Sequence, residues 1–183
     1  ARRKVAVVQP IIIPGGGTEA VAAWTIQALQ QTFSVSLVSF SKVDLDALNR
    51  FYGTQLNEST CSLVRPSLPP FLARTRRFSV LKEHLMMRYC KAVRSQYDLF
   101  ISTGGGMDFG RRSIQYYGLA PDSNLLKVLS DDGGLPGWYR LLKRAVLRGC
   151  AALSSYSESN MLQNTTLVTS EWAGEAISAA QRF

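Results

Sequence analysis

Histidine and cysteine are scarce in this sequence. Its 183 residues include one histidine, His84, and three well-separated cysteines, Cys61, Cys90 and Cys150. No CxxC or Cys/His spacing is present, so the sequence predicts no metal site and no disulfide framework. Scattered thiols of this kind are typical of a cytoplasmic protein. The sequence also has no uninterrupted run of 18 apolar residues, so no transmembrane helix is predicted.

Acidic residues are also few. There are 13 Asp and Glu against 21 Lys and Arg, which gives a net charge of +8. Such a field attracts nucleic acid, anionic lipid or a nucleotide-bearing substrate. No nucleic-acid-binding motif accompanies the charge, so nucleic acid is not an expected partner. The hydrophobic content of 46% is sufficient for a core, and the length predicts a single domain over residues 1–183.

Apolar segments alternate with amphipathic ones along the whole chain. Strands are predicted over residues 4–9, 34–40, 61–65, 97–103, 113–117 and 165–170. Helices are predicted over residues 18–31, 45–52, 73–95, 137–153 and 171–181. For the second helix, Asp44 is the expected N-cap and Gly53 the expected end. This alternation predicts an α/β, Rossmann-like, doubly wound and mostly parallel sheet with helices on both faces.

A glycine triplet, Gly15, Gly16 and Gly17, separates the first predicted strand from the first helix. Free N–H groups at a helix start form an anion site, so the triplet could cradle a diphosphate, with Thr18 and Glu19 on the first turn. A tight turn is the alternative. The spacing also fits a dinucleotide fingerprint. In NAD-binding proteins an acidic residue at the end of the second strand binds the ribose hydroxyl. The second predicted strand has no acidic residue at its end, so only binding of NADP stays open.

A second triplet, Gly104, Gly105 and Gly106, follows the predicted strand at 97–103. Because ligands bind beyond the carboxyl ends of parallel strands, we expect the two triplets to flank one crevice. Asp108 comes directly after the second triplet. Its carboxylate either orients a sugar hydroxyl in that crevice or caps the local turn.

Three stretches together resemble a known family. PGGGTEAVAAW (14–24), DFGRRSIQYY (108–117) and SYSESNMLQNTTLVTSEWAGEAI (155–177) are similar to the N-terminal half of bacterial family 4 glycosyltransferases, which have the GT-B fold. The resemblance implies an acceptor-side domain whose C-terminal, donor-binding partner domain is absent from this chain. It implies retaining transfer from a nucleotide-sugar to a saccharide or lipid-linked acceptor in glycan biosynthesis. No metal or cofactor is implied.

The resemblance also implies a set of cleft residues. Gly15, Gly16, Gly17, Thr18 and Glu19 would approach the donor diphosphate, so side chains added at Gly16 or Gly17 should obstruct it. The acceptor side would comprise Gly104, Gly105, Gly106, Asp108, Tyr117, Gly118, Ser170 and Glu171. For the last two, the alternative is a helix N-cap at Ser170 with the Glu171 carboxylate on the first turn. No catalytic residue is assigned. Since donor and acceptor must be held together across the cleft, the chain alone is expected to be inactive.

One position departs from the family pattern. Gly118 stands where the family usually has a histidine after the aromatic strand. This departure favours the alternative of a non-catalytic nucleotide- or sugar-binding module. His84 lies on a predicted helix away from both triplets, and we expect it to be structural.

Two segments combine basic and apolar residues, at 72–94 and 138–149. Basic amphipathic helices can lie on anionic lipid, which would place the protein on the inner face of the membrane. The alternative is a solvated charged face over a buried apolar stripe.

Overall fold

A single parallel sheet organises the chain in the computed structural model, which describes residues 2–73, 78–118 and 137–180. Its strands are β1 (Lys4–Val8), β2 (Ser34–Val38), β3 (Cys61–Val64), β4 (Leu99–Ser102), β5 (Ile114–Tyr117) and β6 (Thr165–Val168). Their order across the sheet is β3-β2-β1-β4-β5-β6. Every neighbouring pair is parallel. The predicted α/β, Rossmann-like fold class is therefore confirmed.

Helices connect these strands. They are α1 (Gly17–Leu29), α2 (Leu45–Tyr52), α3 (Pro70–Ala73), α4 (Ser79–Ala92), α5 (Gly137–Ser154), α6 (Glu158–Leu162) and α7 (Glu171–Ala180). A 3-10 turn spans Arg94–Gln96. The predicted ends of α2 are confirmed: Asp44 accepts a hydrogen bond from the Ala47 backbone N–H, and Gly53 is left-handed at φ 71°. The short helix α6 was not predicted.

The predicted helix over residues 73–95 is wrong at its N-terminal end. The helix begins at Ser79, because Phe78 has a left-handed backbone with φ 63°. A right-handed helix cannot continue through a residue in that conformation. Residues 74–77 of the predicted helix lie outside the described residues. At the other end, α4 stops at Ala92 and the 3-10 turn follows.

Both faces of the sheet are covered by helices. Alternate strand residues point to opposite faces, and each face has its own apolar cluster. On the face covered by α1 and α2, the buried residues include Val7, Leu37, Ile26 and Leu48. On the face covered by α4, they include Val8, Met86, Phe100 and Phe109. The sheet is therefore doubly wound, as predicted.

The direction in which successive strands are added to the sheet reverses between β1 and β4. From β1 the chain builds β2 and β3 on one side, then returns so that β4 pairs with the other edge of β1. Val8 pairs in register with Ser102, and the Thr103 N–H donates to the Val8 carbonyl oxygen at 3.3 Å. The two strands end level with each other. Residues that follow them meet at the topological switch point, where open α/β sheets bind ligands.

None of the helices in the described part of the chain has the length and apolarity needed to cross a lipid bilayer.

Candidate functional site

A chain of polar side chains joins the two glycine loops at the switch point. Gln9 follows β1 directly and is only 6% exposed. Its Nε2 donates to Thr18 Oγ1 at 3.3 Å, and its Oε1 accepts from Thr103 Oγ1 at 2.9 Å. Thr18 Oγ1 in turn donates to Glu19 Oε2 at 2.9 Å. These bonds connect the loops after β1 and β4. The two triplets lie at the same edge of the sheet, as the sequence predicted.

The first triplet is fixed by Tyr52 at the end of α2. The Tyr52 hydroxyl accepts from the Gly15 N–H at 2.9 Å and donates to the Gly16 carbonyl oxygen at 2.8 Å. Gly15 has φ 125°, a conformation that other residues adopt at considerable cost. At Gly17, the first residue of α1, a β-carbon would meet no atom within 4 Å. Only the first position of this triplet is thus restricted by its own backbone.

Glu19 occupies the space beside the start of α1. A β-carbon added at Gly16 would collide with Glu19 Oε2, so the carboxylate folds back over the helix N-cap. The N-terminus of a helix carries a partial positive charge that a carboxylate stabilises. A diphosphate bound to this loop would have to displace Glu19 from that position. A side chain at Gly16 would also disturb Glu19, which makes Gly17 the better position for testing ligand access.

The second triplet is packed against the protein itself. A β-carbon at Gly104 would lie 2.9 Å from Gln9 Oε1, and one at Gly106 would collide with the Tyr117 hydroxyl. Gly105 has φ 113°. Burial raises the pKa of Tyr117, and a hydrogen bond with the Gly106 backbone lowers it in part. These glycines leave room for neighbouring side chains of the same chain.

A pocket of about 200 Å³ opens between the switch point and the start of α4. It is lined by Gln9, Pro10, Ile11, Glu19, Ser79, Lys82, Glu83 and Gly104. Lys82 is 5% exposed, whereas Glu83 is at the exposed rim, where partial desolvation raises the pKa of its carboxyl. One ammonium, two carboxyls and an amide provide both donors and acceptors. Such a lining suits a ligand with several hydroxyl groups.

The sequence did not single out Gln9, Thr103 or Lys82. A signal existed for the first two, because each is a polar residue that directly follows an apolar strand. For Lys82 there was none. A lysine in a basic amphipathic helix is normally solvated, and its burial depends on how α4 packs.

Asp108 lies away from this pocket, inside the turn that follows β4. Its side chain is fully buried. Oδ1 accepts from the Gly110 N–H at 2.8 Å. Oδ2 accepts from the Ser157 N–H at 2.7 Å and from Lys91 Nζ at 2.6 Å. Of the two roles predicted for Asp108, these contacts correspond to the turn cap.

The predicted residues at the end of β5 and at the start of α7 lie near each other, because Tyr117 pairs in register with Val168. A β-carbon at Gly118 would lie 3.8 Å from Thr18 Cγ2, so Gly118 is beside the first triplet. Its carbonyl oxygen accepts from Thr169 Oγ1 at 3.2 Å. Ser170 Oγ accepts from the Ala173 N–H at 3.2 Å and caps α7, and Glu171 is exposed on the first turn.

His84 belongs to the junction of α4 and α5. It is buried, and its Nδ1 shares a hydrogen bond with Ser154 Oγ at 2.7 Å. Desolvation and the positive charge of Lys91 lower its pKa. The ring packs edge-on against Tyr156, with 5.7 Å between centroids. These contacts are structural, as expected from the sequence.

The three thiols are free and buried. Burial raises the pKa of Cys61 to about 11 and that of Cys90 to about 12, which makes them poor nucleophiles. Within residues 2–73, 78–118 and 137–180, no group of His, Cys, Asp and Glu is arranged to hold a metal ion.

No family model, curated protein or solved structure matches this chain.

Proposed function

We propose that this chain is the acceptor-side domain of a cytoplasmic, retaining glycosyltransferase that uses a nucleotide-sugar donor. The observation that carries the proposal is the polar pocket at the switch point between β1 and β4. Gln9 links this pocket to the glycine loop at the start of α1. The three stretches that resemble family 4 glycosyltransferases support the same reading.

The pocket has the chemistry expected for a sugar acceptor. A hydroxyl group donates one hydrogen bond and accepts others. The Gln9 amide and the Glu19 and Glu83 carboxyls line the space into which such groups would project. Charges of both signs are present, so the pocket favours a neutral, hydroxylated ligand over a multiply charged anion.

The start of α1 would interact with the leaving diphosphate. Its partial positive charge would stabilise the negative charge that develops there. Glu19 currently accepts from Thr18 beside this position, so the donor phosphates would bind after the Glu19 side chain rotates outward. Holding donor and acceptor in this geometry would lower the activation barrier by several kcal/mol, since the upper limit for such positioning is about 7–11 kcal/mol.

One observation favours a second candidate, a sugar- or nucleotide-binding module without transfer chemistry. Gly118 lies beside Thr18, where the family usually has a histidine. A glycine there provides no side chain to orient or polarise an acceptor.

Turnover by the complete protein encoded by the gene tests the proposal. Release of nucleoside diphosphate from a panel of UDP-, GDP- and ADP-sugars would be measured with saccharide and lipid-linked acceptors. We expect Gly17→Val to lower kcat/KM about tenfold, or 1.4 kcal/mol of transition-state stabilisation. The matched control, assayed with the water-soluble saccharide acceptors, is Gly149→Val in α5, where a β-carbon also meets no atom within 4 Å.

The thermal unfolding midpoint of each variant shows whether the fold survives. A stable Gly17→Val protein with unchanged turnover would contradict the role of the glycine loop. Binding of nucleotide-sugar by calorimetry, without transfer to any acceptor, would support the binding module instead.

A further inference from the structure

The N-terminal part of α5 exposes an unusual number of large apolar side chains. Between 44% and 68% of each side chain is accessible. We call this set the α5 surface: Trp138, Tyr139, Leu141, Leu142 and Val146. Single exposed apolar residues are common on proteins, but five within nine residues form a contiguous patch of the kind that marks an interaction site.

Positive charge is interleaved with this patch. Arg144 and Arg148 are exposed and Lys143 is half-buried. Residues 137–154 contain no Asp or Glu, so no carboxylate on this helix neutralises them. The chain as a whole carries +8. The α5 surface therefore combines apolar area with cations that no carboxylate of the same helix neutralises.

The other basic helix, α4, differs in this respect. Lys91 is paired with Asp108, Arg88 donates to the Leu153 carbonyl oxygen at 3.3 Å, and Lys82 is buried. These cations are engaged within the fold or withdrawn from solvent. Two basic segments were noted in the sequence. Within the described residues, α5 is the one that presents both basic and apolar side chains to solvent.

The opposite end of α5 is firmly anchored. His84 is bonded to Ser154 Oγ, Lys91 Nζ donates to the Ser154 carbonyl oxygen at 3.0 Å, and Cys150 is buried. The last turns of α5 are thus fixed to α4, while the α5 surface lies on the turns that precede them. A fixed helix holds its exposed residues in one orientation, which reduces the ordering cost of binding.

We infer that the α5 surface docks on an anionic lipid bilayer, a role beyond the proposed sugar transfer. Tryptophan and tyrosine favour the headgroup level, and leucine and valine favour the acyl boundary. Lysine and arginine extend from an apolar helix face toward anionic headgroups. A nucleic acid would match the cations but would leave the leucines without an apolar partner.

Vesicle co-sedimentation of the 183-residue chain tests this inference. We expect binding to vesicles of phosphatidylcholine mixed with phosphatidylglycerol, and much weaker binding to pure phosphatidylcholine. The pair Lys143→Glu and Arg144→Glu should lower the partition coefficient about tenfold or more. The pair Leu141→Ser and Leu142→Ser should lower it similarly and should also weaken binding at high salt, where electrostatic attraction is screened.

A matched control exists on α2, where Arg50 and Phe51 are exposed neighbours. Arg50→Glu with Phe51→Ser should leave binding unchanged within about twofold. Circular dichroism checks that every variant is folded. Equal binding by the α5 variants and wild type, or no binding by wild type to anionic vesicles, would overturn the inference. Sedimentation velocity adds a third outcome that would overturn the inference. If wild type formed a dimer and the α5 variants did not, a second copy of the chain would cover the α5 surface.

Discussion

The two glycine triplets look alike in the sequence, yet they are packed differently in the fold. In the triplet at 104–106, Gly104 and Gly106 leave room for Gln9 and Tyr117, which belong to the same chain. In the triplet at 15–17, Gly17 faces open space. Each triplet has one glycine with positive φ, Gly105 and Gly15. Packing thus explains the glycines at 104 and 106, whereas in the first triplet the space beside Gly17 is open to a ligand.

The largest effect is expected from Gly106→Ala. The new methyl group would collide with the Tyr117 hydroxyl and lie 2.8 Å from Met161 Sδ. Because the tyrosine ring is partly buried, relieving the collision should lower the free energy of unfolding by about 2–3 kcal/mol. Urea denaturation would measure the loss. Tyr117→Phe in the same chain should restore at least half of it, and an equal loss in both backgrounds would contradict the packing explanation.

Gly104→Ala should have a smaller effect. Its β-carbon would lie 2.9 Å from Gln9 Oε1, which accepts from Thr103. Moving the amide breaks one or two hydrogen bonds in a buried place, and we expect a loss of about 1–2 kcal/mol in urea denaturation. In a Gln9→Ala background the same substitution should cost less than about 0.5 kcal/mol. If the losses in stability from Gly104→Ala and Gln9→Ala were fully additive, contact between these two residues would not be the cause of the loss.

Gly16→Ala comes next. The collision is with the carboxylate end of Glu19, a flexible side chain that can rotate into solvent. The expected loss is only the favourable interaction of that carboxylate with α1, about 0.3–1 kcal/mol. Thermal unfolding at low ionic strength would detect it. With Glu19→Ala already present, adding Gly16→Ala should change the stability little. If Gly16→Ala alone lowered the free energy of unfolding as much as Gly106→Ala does, the two triplets would not differ in packing.

Gly17→Ala should have the smallest effect on stability. No atom lies within 4 Å of the new methyl group, and alanine is favoured over glycine inside a helix. We expect the free energy of unfolding to stay constant or to rise by up to about 1 kcal/mol. A clear destabilisation would show that the first loop is as closely packed as the second.

Much of the fold could be predicted from the sequence. Buried parallel strands are apolar runs, and YDLFIST and KVAVVQ stand out as such. Once both strands are assigned to a parallel sheet, the triplets that follow them must share one edge. Asp44 and Gly53 marked the ends of α2 because caps depend on local residues.

Other features depend on contacts between distant residues. Gln9 and Thr103 are 94 positions apart, and no local pattern links them. Apolar and basic residues alternate similarly in α4 and α5, so the sequence did not reveal that α4 is covered while the α5 surface is exposed. The start of α4 was missed because Phe78, a bulky residue, adopts a left-handed conformation that glycine or asparagine would have signalled.

The strand order also has a consequence for how the chain folds. β1 lies in the interior of the sheet, yet one of its neighbours, β4, follows only after a long excursion. Lys4 and Asp98, which bond across this pair, are 94 positions apart. Such non-local pairing raises the contact order and slows folding. Until β4 is synthesised, β1 presents an unpaired edge to other chains. We expect a nascent chain halted after β3 to aggregate or to require a chaperone, whereas one extended beyond β4 should become soluble.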